Sequence, residues 1–393
     1  MKILMVSTEY PPMIGGVGRY TANLVSALRK LGMEVFVMCD KLGSGDFFGL
    51  SPKNTQNSEI LLETADKIQP DIIHVQFEPG MYGLVIDNVN PTKTITHIDS
   101  FYRKSTFPII TTFHTIYSFR QWISQGTHIK TTGKTKQFGV PLRFLVRLWK
   151  YSLSYKAFQN QNKEKLAQSK EGIVFSQYAS KLIGGGKVIY HGAEPALASV
   201  PDKKDARKSL SLPEGDAGEN PRIALALGYK TSNKGWDILG KTKLPQGWII
   251  AINSSKSHYN TESYRMDELL LRDNKNIIDI QKGFLSEEEL SMLFYSADAV
   301  LLPYKVTAGS GVMFDALAHG LPFIATDLGF FKEFSAQGLG ITVKRSAGDF
   351  SNGIKLLDKD YDAYKEKVNN FKSRLLWESV AKQHESLYLS LIQ

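Results

Sequence analysis

The stretch Leu301 to Phe331, LLPYKVTAGSGVMFDALAHGLPFIATDLGFF, does most to restrict what this chain can fold into. The apolar run Ala299 to Leu302 reads as a buried strand and stops at Pro303. A loop of small and polar residues follows, Thr307, Ala308, Gly309, Ser310 and Gly311. The next segment, Val312 to His319, has helical spacing. Gly320 closes it, and Pro322 stands just beyond as a stop signal. Phe323 to Ala325 is a second buried strand, so the whole reads as a βαβ crossover. Backbone N–H groups at the tip of such a helix face outward, and the helix dipole favours an anion there. Gly309 and Gly311 leave room for a ligand to touch the backbone. Asp315 lies one turn from Gly311 on the same face, suited to a ribose diol. The stretch taken alone is equally an ordinary crossover with a short loop.

With 393 residues the chain is long enough for two domains, each with its own core. Its 42% hydrophobic and 22% charged content belongs to a soluble globular protein. No apolar run approaches the roughly 18–20 residues that span a bilayer. The N-terminus enters a short strand at once and lacks the apolar core of a signal peptide, so a cytoplasmic protein is expected. The single cysteine, Cys39, excludes an internal disulfide framework and a thiolate metal cluster. The net charge of +9 is local: residues 130–170 hold ten basic residues against Glu164, and the rest balances at 38 of each sign.

From the N-terminus, Ile3 to Val6 reads as a strand. Leu24, Ala27, Leu28 and Leu31 trace a helix face closed by Gly32, and Val35 to Met38 is the next strand. The loop between first strand and helix carries Pro11, Pro12, Gly15, Gly16, Gly18 and Arg19. It is too long for a dinucleotide fingerprint, whose glycines follow the strand directly, although Asp40 stands where a ribose-binding acid would. Gly15 and Gly16 offer N–H groups to a phosphate, with Arg19 adding charge; a plain glycine turn is the alternative. His114, directly after the strand Pro108 to Thr112, belongs at the carboxyl edge of a sheet, where open α/β folds bind ligands. His74, inside the strand Ile72 to Val75, reads as a core histidine with a backbone partner.

In 141–158, Leu142, Leu145, Trp149 and Leu153 share a helix face beside the basic stripe Arg143, Arg147 and Lys150. This pattern suits an anionic membrane surface and also an ordinary solvated stripe. With no aromatic RNA-binding motif beside it, nucleic acid is the weakest reading. Strands are expected at Gly172 to Ser176 and at Val188 to Tyr190, the latter ending in His191. Residues 198–222, polar and rich in Pro, Asp, Lys and Gly, read as an interdomain linker. Strands and helices then alternate again. Lys230 and Lys234 follow the strand Ile223 to Leu227 as a diphosphate clamp or as two exposed lysines. Ser286 and Glu289 form a capping box. The stretch 362–393 is helical in pattern, with Trp377, Leu387, Leu389 and Leu391 as expected anchors.

Assembled, GGVGRYTANLVSALRKLGMEVFV, TTFHT, VIYHGAE, GYKTSNKGWDIL and SGVMFDALAHGLPFIATDLG fall in one order along nearly the whole chain. In that order the chain resembles the retaining glycosyltransferases of GT-B fold (glycosyltransferase group 1). Within them it is similar to the group that includes bacterial phosphatidylinositol mannosyltransferase. The resemblance implies two Rossmann-like doubly wound α/β domains facing a central cleft: 1–197 on the acceptor side, 198–376 on the donor side, and a helix, 377–393, crossing back to the first. It implies that Gly16 approaches the donor diphosphate, that His114 lies near the donor sugar and the reacting centre, that Lys234 pairs with the diphosphate, and that Asp315 binds ribose. Gly15, Thr307, Gly309, Ser310, Gly311 and Val312 are expected to complete the donor side, with Lys230 as a second cation, and Arg19 and His191 the acceptor side. Thr307 stands where the family usually has a glutamate, and Tyr229 where an arginine follows the clamp glycine.

The expected activity is transfer of a sugar from a nucleoside diphosphate donor to an acceptor hydroxyl, with retention and without a metal or other cofactor. Stabilising the departing diphosphate is then the main catalytic task. GDP-mannose leads by resemblance and UDP-glucose follows. The acceptor is a glycan or a lipid-linked molecule, and the basic segment 130–170 would hold the enzyme on the cytoplasmic face of an anionic membrane. The alternative is a catalytically silent nucleotide-sugar-binding or scaffold protein of the same fold, motivated by Thr307 and Tyr229.

Overall fold

The computed structural model describes residues 1–86, 94–125, 140–197, 199–213, 221–255, 274 and 276–392, with the backbone alone for 86, 140–145 and 147. The chain forms two compact units, Met1–Gly192 with Trp377–Gln393, and Ala193–Leu376.

The first unit is built on seven strands, all parallel: β1 (Lys2–Val6), β2 (Glu34–Cys39), β3 (Phe47–Phe48), β4 (Ile72–Phe77), β7 (Ile109–Phe113), β8 (Glu171–Val174) and β9 (Lys187–Val188). Their order is β3-β2-β1-β4-β7-β8-β9. A small antiparallel hairpin, β5 (Val85–Ile86) and β6 (Thr94–Ile95), stands outside this sheet. Every residue of β4 and β7 is buried, as sequences like IIHVQF and IITTF require when both faces of a parallel sheet are covered. The order reverses between β1 and β4, so the loops leaving those two strands diverge and open a crevice at their carboxyl ends.

The second unit repeats the plan with β10 (Arg222–Tyr229), β11 (Trp248–Ser255), β12 (Ile277–Asp279), β13 (Ala299–Leu302), β14 (Phe323–Thr326) and β15 (Gly340–Val343). These too are all parallel, in the order β12-β11-β10-β13-β14-β15. Here the reversal falls between β10 and β13. The two candidate donor loops leave those two strands.

Three expectations change. Residues 198–222 are not a bare linker: the helix Lys203–Ser209 lies within them, with Ala206, Arg207, Leu210 and Leu212 buried. Arg207 donates to Asp298 Oδ2 at 3.0 Å and to the Ser296 carbonyl at 3.1 Å, a long-range pairing that composition does not reveal. In the helix Val140–Gln168 the buried face runs through Tyr151, Ser154, Ala157, Phe158, Gln161, Asn162 and Lys165, while Trp149 is 61% exposed. Most polar members of that face find partners inside, Lys165 meeting Asp99 at 3.0 Å, although Asn162 Oδ1 is buried with no hydrogen-bond partner among the described residues. The side chains of the expected anchors Leu142 and Leu145, and of Arg143 and Arg147, fall outside what is described, and residues 130–139 fall outside it altogether. Finally, the helix Trp377–Ile392, which packs on the helix Gly16–Lys30, buries His384, Leu387 and Tyr388 and leaves Leu389 exposed.

Candidate functional site

In the first unit, β1 hands over to a loop that returns to the helix Gly16–Lys30 at its N-terminus. Glu9, 5% exposed, reaches across this loop, and its Oε1 accepts the Gly18 N–H at 2.7 Å. A carboxylate of the chain itself therefore sits at this helix tip, beside Gly15, while a β-carbon on Gly16 would meet nothing within 4 Å. Gly16 is thus the open point of the loop. The sequence reading missed Glu9; the three glycines beyond it were the only signal.

His114 follows β7 and donates its N–H to the Phe77 carbonyl at 3.0 Å, which fixes the loop to β4. Its ring packs edge-on against Tyr20 and Phe175, both at 5.3 Å, and Nε2 stands 2.9 Å from Gln76 Oε1. Burial, with a smaller contribution from His191, pushes its pKa down to about 3, so the imidazole is neutral at physiological pH. His191 packs on the same two rings, 4.9 Å from Tyr20 and 5.4 Å from Phe175, with Nδ1 2.7 Å from the Gly192 carbonyl oxygen. Tyr20 thus joins the two histidines, and Arg19 precedes it on the same helix. His74 is buried as expected, but its partners are side chains: Tyr388 and Thr112, each at 2.7 Å. Glu78, leaving β4, has its carboxyl pKa raised by burial.

In the second unit Lys234 closes a short turn after β10. Its Nζ lies 3.9 Å from the centroid of the Tyr304 ring, a cation–π contact. The next residue, Gly235, has φ +77° and lies so close to Pro303 that a β-carbon would stand 2.1 Å from its carbonyl oxygen. Only glycine fits there. Asn233 ties the two loops together: its carbonyl accepts the Lys305 N–H and its Oδ1 the Val306 N–H, both at 2.8 Å. That double bond brings Lys234 beside the segment leading into 307–311. Lys230 donates its backbone N–H to Ser255 at 2.8 Å.

Ser310 caps the helix Gly311–Ala318 by accepting the Met313 N–H at 3.2 Å, and Thr307 donates its hydroxyl to the Gly309 carbonyl. Thr307 therefore spends its proton on holding the loop. Gly309 and Gly311 add no side chains at the tip, Val312 is half-buried in the first turn, and Asp315 is buried in the next. The arrangement offers an anion one fixed cation and a row of N–H donors with little side-chain cover. Among the described residues no cluster of His, Cys, Asp and Glu could hold a metal ion, and no helix is long and apolar enough to cross a membrane.

No family model matches the sequence. An uncharacterized glycosyltransferase of Methanocaldococcus jannaschii is 21% identical over 406 residues, covering 99% of this chain and 98% of that one. Among solved structures, sucrose-phosphate synthase from Thermosynechococcus elongatus superposes with a TM-score of 0.67 at 18% identity, covering 99% and 98% of the two chains. HepE of Anabaena, solved with UDP, gives 0.67 at 14% identity, covering 99% and 100%; its UDP-glucose complex gives 0.63, also at 14% and with the same coverage. At these identities the likeness is one of architecture. The two doubly wound parallel units are those of the GT-B fold.

Proposed function

We propose that the protein is a glycosyltransferase that moves a sugar from a nucleoside diphosphate donor to an acceptor hydroxyl, with retention and without a metal. The observation that carries this reading is the Asn233 tie, which holds the Lys234 loop against Lys305 and Val306, the segment leading into the helix Gly311–Ala318 at the reversal point of its sheet. A lysine and a helix N-terminus together stabilise the charge that develops on a leaving diphosphate. Gly309, Gly311 and Val312 offer backbone to the phosphates, Asp315 serves the ribose, and Lys230 lies within the same loop. In the other unit, neutral His114 serves the sugar, Gly15 and Gly16 approach the donor, and Arg19 and His191 serve the acceptor.

UDP-glucose is supported as donor by the likeness to HepE, and GDP-mannose by the resemblance to the phosphatidylinositol mannosyltransferase group. Exposed Trp149 next to Lys150 favours a lipid-linked acceptor at an anionic surface, since an indole and a cation side by side suit the headgroup region. Thermal melting against UDP, GDP, ADP and TDP with their sugar conjugates tests the donor. A ligand at about 100 times its Kd adds roughly 2.7 kcal/mol, and Lys234→Ala should remove the shift. A shift without transfer or donor hydrolysis would favour the silent binder, for which Thr307 in place of a carboxylate is the motive. No shift with any nucleotide would sink both.

A further inference from the structure

His114 makes one side-chain hydrogen bond among the described residues, from Nε2 to Gln76 Oε1 at 2.9 Å. Which ring nitrogen carries the proton depends on how the Gln76 amide lies, and that amide has neighbours of its own. Its nitrogen stands 3.2 Å from Met5 Sδ and 3.3 Å from His74 Nε2. A thioether sulfur accepts and never donates. Turning the amide over would set its oxygen against the sulfur with no hydrogen between them, so Met5 selects the orientation with nitrogen inward. His74 Nε2 then has to be an acceptor, which also suits the Thr112 hydroxyl 2.7 Å away. The proton of His74 moves to Nδ1, where the Tyr388 hydroxyl oxygen accepts it at 2.7 Å. With the amide held this way, the opposite tautomer of His74 would set its Nε2–H against the Gln76 N–H.

We propose that Gln76 is a positioning residue: oriented by Met5 and His74, it holds His114 as the neutral Nε2–H tautomer and leaves Nδ1 as the acceptor. An imidazole nitrogen with a free lone pair takes a hydrogen bond from a hydroxyl and repels a phosphate oxygen. The ligand group His114 meets is therefore a hydroxyl. The chain of bonds also ends on the helix Trp377–Ile392 through Tyr388, so that helix takes part in setting the tautomer of a histidine it does not bond. Around the His114 ring the other packed groups are Tyr20 and Phe175, with His191 within Coulomb range. None of them competes for Nε2 among the described residues.

The catalytic consequence rests on the function proposed above; the tautomer does not. Long-range proton–nitrogen NMR of protein labelled with nitrogen-15 histidine, at pH 7 without substrate, reads it directly, with His114→Asn identifying the resonance. The wild type should show Nε2–H alone. Gln76→Leu should show both tautomers at His114. Gln76→Glu, which keeps the acceptor, should retain Nε2–H and lift the His114 pKa toward the ordinary histidine range. Tyr388→Phe should disturb the His114 tautomer through His74. A melting curve on each sample establishes that it is folded. A wild type protonated at Nδ1, or a folded Gln76→Leu still purely Nε2–H, overturns the inference. A protein with the expected spectrum but no transferase activity removes the functional reading and leaves this one standing.

Discussion

The Glu9 carboxylate lies where a side chain on Gly15 would begin: its carbon would stand 2.0 Å from a β-carbon there. Gly15 itself is extended, with φ 177°, so any residue could adopt its backbone. Space for Glu9 is what demands glycine. An alanine at 15 would push out the buried carboxylate and break its charge-assisted bond to the Gly18 N–H. Gly15→Ala should therefore cost about 1–3 kcal/mol, the usual penalty for stranding a buried partner. In a Glu9→Ala background the same change should cost much less. Urea denaturation of the four proteins closes the cycle, and equal costs in both backgrounds would show that Glu9 is not the reason for the glycine.

Tyr304 gives a test that separates ligand from structure. Its ring carries Lys234, yet its hydroxyl is buried with no hydrogen-bond partner among the described residues. Tyr304→Phe keeps the ring and removes an unpaired polar atom, so melting should stay level or rise by up to about 1 kcal/mol of stability. If that hydroxyl serves a bound diphosphate instead, the same variant should bind nucleotide several-fold more weakly. Calorimetric titration of the nucleotide found by the melting panel decides between them.

Asp298 is the junction of the second unit. Its Oδ1 meets Lys203 at 2.6 Å, and its Oδ2 accepts from Arg207 at 3.0 Å and from the Ile223 N–H at 2.8 Å. The Arg207 side chain is 4% exposed, so removing its counter-charge strands a guanidinium away from water. Asp298→Asn should destabilise by about 3–5 kcal/mol. Lys203→Ala, whose side chain is 41% exposed, should cost less than about 1 kcal/mol. Denaturant midpoints that rank the two variants the other way would contradict this assignment.

The strands were legible because parallel sheets buried on both faces leave unbroken apolar runs, and Ile72–Phe77 and Ala299–Leu302 need no partner information to be read. The loops at 228–235 and 303–311 were legible as candidates because they follow buried parallel strands, at the carboxyl edge of a sheet, but spacing alone left both equally readable as ordinary loops. What spacing could not supply was long-range pairing. Arg207 looked like one more charge in a linker until Asp298, ninety-odd positions on, proved to be its partner. Gln76 drew no reading because its meaning comes from Met5 on β1 and His114 after β7, together with His74 two residues before it. Glu9 was hidden for the same reason, since its role is a space left empty at Gly15. The helix Val140–Gln168 misled because its buried face is lined by Ser154, Gln161, Asn162 and Lys165, polar residues whose partners lie on distant segments.

The first unit should be acid-labile. His384 is fully buried, donates Nδ1–H to the Val380 carbonyl at 2.8 Å and packs 5.7 Å from His74, with Tyr388 and the charge of Lys187 as its other neighbours. Burial pushes its pKa down to about 4 from the ordinary 6.5. Above pH 6.5 both folded and unfolded chains carry it neutral, and it costs nothing. As pH falls below 6.5 the unfolded chain binds a proton that the native state refuses, so stability drops until the folded pKa near 4 is passed. The slope from this one group approaches 1.4 kcal/mol per pH unit, roughly 3 kcal/mol across the window. His384→Leu should flatten the curve of stability against pH by about one proton's worth between those limits. Urea melts at half-unit steps from pH 7 to 4 measure it, and a variant slope equal to the wild type's would place the acid lability elsewhere.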